Sequence, residues 1–385
     1  MTKVLAAGIG ITKFGEHWGK ALRELAIEAA LKAIEDAGIE RADIDALFVG
    51  SMSPGRFTGQ EHVAALVAGE LGLNCSATRV EAACASGGLA IRHAYHALLS
   101  GKARCALVIG VEKMTEVGTG EAIITLASAS DQEWEAYYGV TFPALYAMLA
   151  RRHMHEFGTT REQLALVAVK NHEHGSMNPI AQFRNKITVE DVLNSSPVAE
   201  PLNLLDCSPI TDGAAAIVLC REDFLKVEKP VYLIGSGHAV DTVALHERSS
   251  LVEIKATKLA AKRAYEEAGI KPQQVDLAEV HDCFTIAEIL AYEDLGFCKK
   301  GEGGKLIENG ETSLKGRIPV NTSGGLKACG HPVGATGVKQ AVEIVLQLRE
   351  EAGERQVKGA RIGLTHNVGG SGATCVVHIW EKGFS

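Results

Sequence analysis

At 385 residues the chain exceeds one ordinary core, so two domains are the expectation. Its net charge of −8 offers no footprint for nucleic acid, and no apolar run is long enough to span a bilayer. Nine cysteines without a Cys-x-x-Cys pair argue against a disulfide framework or a zinc ribbon and fit a reducing cytoplasm.

In chain order, residues 4–9 predict a strand and are too short for a signal peptide. Residues 21–37 carry apolar side chains at helical spacing, and Gly38 supplies a stop. A strand at 46–50 and a helix at 62–71 follow. Residues 80–88, Val-Glu-Ala-Ala-Cys-Ala-Ser-Gly-Gly, form a small-residue turn that runs into an amphipathic helix at 89–99 and a strand at 105–110. From 115 to 209 strands thin out, and Pro143, Pro179, Pro197, Pro201 and Pro209 punctuate a mainly helical insertion. A strand at 213–220 resumes the core.

The second half then repeats the first. Residues 33–49 match 264–280 without a gap, at a constant offset of 231. Residues 231–235 stand for the first strand, 337–348 for the helix after Cys84, 362–365 for its following strand and 373–380 for the strand at 214–220. A duplicated α/β unit with central, largely parallel sheets covered by helices is expected.

The duplication brings four stretches to the carboxyl ends of strands, where α/β folds bind ligands. Cys84 lies near a helix N-terminus, where N–H groups and the macrodipole lower a thiol's pKa. His281-Asp282-Cys283-Phe284 follows a strand, Gly330-His331-Pro332-Val333-Gly334 opens a helix, and residues 366–372 follow another strand as a turn. Each stretch has a plain structural reading, such as a buried cysteine in a packing turn. Together, two cysteines and two histidines favour nucleophilic catalysis, in which an imidazole takes a thiol proton. A zinc site of Cys84, Cys283, His281 and His331 is the alternative, but the His-x-Cys pair lacks ordinary zinc spacing.

With these motifs the sequence resembles the thiolase superfamily along its whole length. Ala83-Cys84-Ala85-Ser86-Gly87 resembles the family's Cys-x-Ser-Gly nucleophile motif. Residues 321–326 and 330–337 resemble its Gly-His-Pro segment. His281-Asp282-Cys283-Phe284 stands where many thiolases have Asn-Glu-Ala-Phe, and residues 365–370 lack the usual second cysteine. This pattern resembles the sterol-carrier-protein thiolases and related archaeal and bacterial acetyl-CoA acetyltransferases.

The resemblance implies two duplicated βαβαβ halves forming a five-layered α-β-α-β-α core. Its domains would be 1–115 plus 210–228, an inserted loop domain at 116–209 that binds coenzyme A, and 229–385. It implies Cys84 as nucleophile, His331 as its base, Cys283 as acid/base at the α-carbon, and His281 with His331 at the enolate oxygen. Backbone N–H groups of Cys84 and the Val368, Gly369, Gly370 turn would hold the oxyanion. Cys375 is read as core. Coenzyme A thioesters are the substrates, with no metal or other cofactor.

Arg151, Arg152, Lys170, His172, Arg184 and Lys186 are candidate phosphate contacts, each otherwise an ordinary surface charge. Trp134, Tyr137, Tyr138, Phe142, Tyr146 and Met148 either narrow the acyl pocket or form loop-domain core. The implied activity is acetyl-CoA C-acetyltransferase. The alternatives are thiolysis of longer or branched chains, a thiolase-fold aldolase, and a non-catalytic acyl-CoA-binding subunit. A cytoplasmic homodimer or homotetramer is expected. Because the chain stops at Ser385 without a sterol-carrier domain, HMG-CoA synthase joined through a small zinc-ribbon/OB-fold protein is an expected partner.

Overall fold

Residues 2–383 are described by a computed structural model, at whose centre lies one mixed sheet of nine strands. The first half supplies β1 (Val4–Ile11), α1 (Leu22–Ala37), β2 (Ala46–Gly50), α2 (Pro54–Thr58), α3 (Val63–Leu71), β3 (Ser76–Val80), α4 (Ser86–Leu99) and β4 (Cys105–Glu112). A mainly helical stretch follows, with α5 (Thr119–Ala127), α6 (Phe142–Phe157), α7 (Arg161–Ser176), α8 (Val189–Asn194) and a small hairpin of β5 (Pro197–Ala199) and β6 (Leu202–Asn203). Strand β7 (Gly213–Arg221) returns to the sheet. The second half runs β8 (Val231–Val240), α9 (Lys255–Ala268), β9 (Leu277–Glu279), α10 (Thr285–Asp294), α11 (Gly303–Glu308), α12 (Thr336–Leu348), β10 (Ile362–Gly369) and β11 (Thr374–Lys382).

The repeat seen in the sequence is also a repeat in packing. Helix α1 buries Leu22, Leu25, Ala26, Ala29, Ala30, Ala33 and Ile34 as one stripe and ends at Gly38 with φ 65°. Helix α9 ends in the same way at Gly269, φ 67°. A Cβ on Gly8 or Gly10 of β1 would run into the α1 carbonyls of Ala33 or Ala29. Gly235 and Gly237 of β8 stand likewise against Ala264 and Ala260 of α9. Both halves thus use bare backbone to seat a helix against their first strand.

The strand order is β3-β2-β4-β7-β1-β8-β11-β10-β9. The expectation of largely parallel sheets is corrected. Only β2–β3, β2–β4 and β9–β10 pair in parallel. The last strand of each half, β7 or β11, inserts beside the first strand and runs antiparallel to both neighbours. Within the sheet the two halves meet where β1 pairs with β8, at Val4↔Leu233, Leu5↔Tyr232 and Ala6↔Val231.

Side-chain alternation generates the layers. On β7, Ala214, Ala216, Val218 and Cys220 pack with α1 and α3, whereas Ala215, Ile217 and Leu219 pack with α4 and α12. On β11, Cys375, Val377 and Ile379 face α9 and α10, and Trp380 faces the central pair. Helices α4 and α12 therefore form the middle of five layers and touch strands of both halves. Their first turns meet backbone to backbone: a Cβ on Gly87 would strike Gly334 O, and one on Gly337 would strike Gly88 N. This close crossing sets Cys84 and His331, which lie just upstream of the two helices, side by side.

Candidate active site

The chain leaves β3 through a strained elbow. Ala83 adopts φ 50°, a left-handed value unusual for a residue with a side chain. Ser86 holds the elbow: its Oγ accepts from Ala82 N–H at 3.0 Å and donates to Ala83 O at 2.6 Å. Cys84 is thereby buried among Met52, Phe57, Met114, Ala122 and Val333. The expected lowering of its pKa is corrected, because burial outweighs the helix terminus and pushes the thiol up to about 12. The Gly370 N–H and the thiol's own backbone N–H act against this rise, and the Glu112 carboxylate adds to it. The resting nucleophile is a thiol, so a base must take its proton.

His331 is prepared for that task. Thr336 Oγ1 donates to Pro332 O at 3.1 Å, so toward His331 Nδ1, 2.7 Å away, the hydroxyl oxygen accepts. Nδ1 therefore carries the hydrogen, and Nε2 keeps its lone pair for the cysteine and the cleft. Burial, with a smaller push from Lys339, lowers the His331 pKa to about 3, so the ring is neutral.

His281 is held in the opposite tautomer. Asn367 Oδ1 accepts from Gly88 N–H at 3.1 Å, and its Nδ2 donates to Cys84 O at 3.0 Å. These backbone partners set the amide's orientation. The same Nδ2 therefore donates to His281 Nδ1 at 3.3 Å, which leaves the hydrogen on Nε2. That Nε2 is buried and has no hydrogen-bond partner among the described residues. Burial and the neighbouring His331 hold the ring well below the ordinary histidine pKa. Behind it, the His281 N–H donates to His366 Nδ1 at 3.4 Å, and His366 Nε2 lies 2.9 Å from Thr257 Oγ1.

Cys84 Sγ and one ring nitrogen each of His281 and His331 all lie within 4.8 Å of one another. The two rings meet edge to face, 5.1 Å between centroids at 83°. Such a trio could ligate a metal, but a metal needs the Nε2 lone pair that Asn367 denies to His281. An unpartnered N–H beside Cys84 and His331 suits an anionic oxygen instead.

Cys283 completes the group in a cleft of about 410 Å³ lined by Cys84, Met114, Phe142, Tyr146, Phe284, His331, Val333 and Gly370. Burial and the nearby Cys84 hold its thiol well above the usual range, while hydrogen bonds from the Tyr146 hydroxyl and Phe284 N–H act the other way. Asp282 points away from the cleft and accepts from Leu326 N–H (2.7 Å), Lys327 N–H (3.1 Å) and Asn171 Nδ2 (2.7 Å). Asn171 also donates to Glu288, which pairs with Lys170 at 2.7 Å. The His-Asp-Cys-Phe turn is thus anchored on α7 and α10.

Residues 4–223 match the family description "Thiolase, N-terminal domain" and 237–382 match "Thiolase C-terminal domain-like". The chain belongs to the thiolase family. It is 57% identical to an acetyl-CoA acetyltransferase of Methanothermobacter thermautotrophicus, over 99% of this chain and 100% of that one. It is 34% identical to sterol carrier protein 2 of Oryctolagus cuniculus, over 100% of this chain and 73% of that one. A solved structure described as the Ltp2-ChsH2(DUF35) aldolase superposes with TM-score 0.87 at 28% identity, covering 99% and 98% of the two chains.

The structure of this thiolase brings Cys84, His281, Cys283 and His331 together and redraws other expectations. Val368 and Gly369 stand in register with Cys375 and Thr374, because β10 continues through residues expected to form a turn. The turn starts at Gly370, φ 63°. Lys170 and His172 are buried: Lys170 binds Glu288 and Val320 O, and His172 Nδ1 binds Asn185 O. They are structural, whereas Arg151, Arg152, Arg184 and Lys186 stay on the surface. Trp134, Tyr137, Tyr138 and Met148 are exposed and line no part of the cleft, while Phe142 and Tyr146 do. Cys375 is core, as read.

Three residues escaped the sequence reading. Asn367 falls among the residues read as a glycine-rich turn, and nothing in the sequence singled it out. Thr336 sits in the recognised Gly-His-Pro segment and orients the histidine there. Glu112 accepts from Met52 N–H (2.7 Å), Ser53 N–H (3.3 Å) and Gly334 N–H (3.1 Å), tying the His331 loop to the first half.

Proposed function

We propose that this thiolase condenses two acetyl-CoA molecules to acetoacetyl-CoA and free coenzyme A, or runs the reverse thiolysis, through an acyl-cysteine. The observation that carries the reading is the meeting of Cys84, His281 and His331 within 4.8 Å, with Cys283 in the same cleft. The acetyl preference is carried over from the archaeal relative's name.

His331 Nε2 takes the Cys84 proton as Sγ attacks the thioester carbonyl. The oxyanion meets the N–H groups of Cys84 and Gly370, each such donor being worth about 3–4 kcal/mol. The coenzyme A thiolate leaves with the Cys283 proton, so Cys283 becomes a thiolate. That thiolate removes an α-proton from the second acetyl-CoA, and the enolate oxygen is held by His281 Nε2–H and the newly made His331 Nε2–H. The carbanion attacks the acetyl group on Cys84, and the departing Cys84 thiolate recovers its proton from His331. The thioester itself acidifies the α-carbon, so the proposal needs no metal or redox cofactor.

Intact-protein mass after addition of acetyl-CoA tests this. Wild type gains an acetyl group, Cys84→Ala does not, and Cys283→Ala acylates without turnover. The similarity to an aldolase structure favours a second reading, cleavage of a β-hydroxyacyl-CoA without a covalent intermediate. An unmodified wild-type mass together with such cleavage would select it.

The proposal keeps a cytoplasmic homodimer or homotetramer, with HMG-CoA synthase joined through a small zinc-ribbon/OB-fold protein. The described cysteines are all free, and no described helix is long and apolar enough to cross a membrane. Native mass of the protein purified at low salt reads the assembly.

A further inference from the structure

Tyr146 comes from α6, far from either cysteine in sequence, yet it is 1% exposed and lines the same cleft. Its ring packs on Phe284, the neighbour of Cys283, at 4.7 Å between centroids and 31°. Its hydroxyl donates to Gly370 O at 3.1 Å. The same hydroxyl neighbours Cys283 in the cleft and favours the charged form of its thiol. Gly370 in turn directs its N–H at Cys84 Sγ. One phenol therefore stands beside one cysteine and bonds the peptide unit that serves the other. Around it the cleft is apolar, formed by Met114, Phe142, Phe284 and Val333. A thiolate created at Cys283 has two donors on this side, the Phe284 N–H and the phenol.

We propose that Tyr146 is a positioning residue for Cys283, turning its O–H from Gly370 O to the sulfur each time Cys283 passes from thiol to thiolate. This deepens the reading of Cys283 as acid/base and rests on it. When Cys283 holds its proton, the phenol donates to Gly370 O and its oxygen accepts the S–H. When Cys283 is a thiolate, the O–H swings to the sulfur and gives a charge-assisted hydrogen bond. The O–H bond stays intact throughout, and no proton leaves the tyrosine. Burial and the nearby Cys283 hold the phenol well above its usual pKa, which keeps it a donor.

Tyr146→Phe keeps the ring on Phe284 and removes one oxygen. In D2O with acetyl-CoA, deuterium uptake at the α-carbon reads Cys283, and the acetyl adduct reads Cys84. Adduct formation is expected to stay within about threefold of wild type, while α-exchange falls about 30-fold, the loss typical of a hydrogen bond to a charged group. The alkaline rise of exchange moves to higher pH, because the thiolate has lost a donor. Equal losses in both readouts, or an unmoved pH profile, overturn the proposal. Exchange that persists in Cys283→Ala overturns the underlying acid/base reading instead. Should the phenylalanine variant fail to fold, 3-fluorotyrosine at 146 keeps the hydroxyl and strengthens it as a donor. The profile then moves to lower pH, and an unmoved profile again overturns the proposal.

Discussion

The loops that open α4 and α12 occupy matching places in the two halves and carry opposite chemistry. One holds a nucleophile behind a strained Ala83. The other holds a base behind Gly330, whose φ of 114° is natural for glycine. The helices beyond them cross through the same device, bare glycine backbone on each side. Duplication therefore supplied the approach, and divergence just upstream supplied a proton donor on one side and its acceptor on the other.

The most disruptive way to break this pairing is to separate the helices. Gly337→Ala puts a methyl group onto Gly88 N and Asn367 Oδ1. We expect a loss of about 1–3 kcal/mol in denaturant titration, and no detectable acetyl adduct. Asn367→Asp keeps the shape but replaces the shared donor with an acceptor. His281 loses its set tautomer, and turnover should fall about 100-fold, with acylation of Cys84 less affected in a rapid-quench mass measurement.

The contrast between donor and acceptor is also readable by pH. With the Cys84 thiol pushed up to about 12 and His331 lowered to about 3, the free enzyme holds no thiolate–imidazolium pair at neutral pH. Iodoacetamide inactivation should therefore rise about tenfold per pH unit from 7 to beyond 9, without a plateau. Thr336→Val removes the acceptor for His331 Nδ1–H and should slow acylation about tenfold in the same mass assay. The gentlest change makes the two loops alike: Ala83→Gly relieves the left-handed strain. Stability should rise by about 1 kcal/mol in a urea melt, with little change in turnover.

The repeat was legible because helix, glycine stop and strand follow local rules, and the four chemical residues because they sit at strand ends and helix starts. Long-range environment was not. Lys170 reads as a surface charge until Glu288 and Val320 close over it from the other half of the chain. Asn367 reads as part of a glycine-rich turn until β11 extends the ladder to Gly369↔Thr374. A helix N-terminus lowers the pKa of a nearby thiol, but at Cys84 desolvation is larger, and burial is a property of the assembled layers. Strand direction was missed for the same reason: an apolar run does not say which neighbour it will meet.

Within the sheet the seam between the halves is three residue pairs, Val4–Ala6 against Val231–Leu233. The rest of the union is the middle helical layer, helix α7 packed on α10 and α11, and bonds across the halves such as Arg349 to Asp36 and to Ala7 O. Neither half alone holds both a nucleophile and its base. Turnover is thus a readout of docking, available only after residues more than 280 positions apart, such as Cys84 and Asn367, have met. A chain cut between Arg221 and Val231 would yield two silent fragments, and any activity on mixing would count re-formed interfaces.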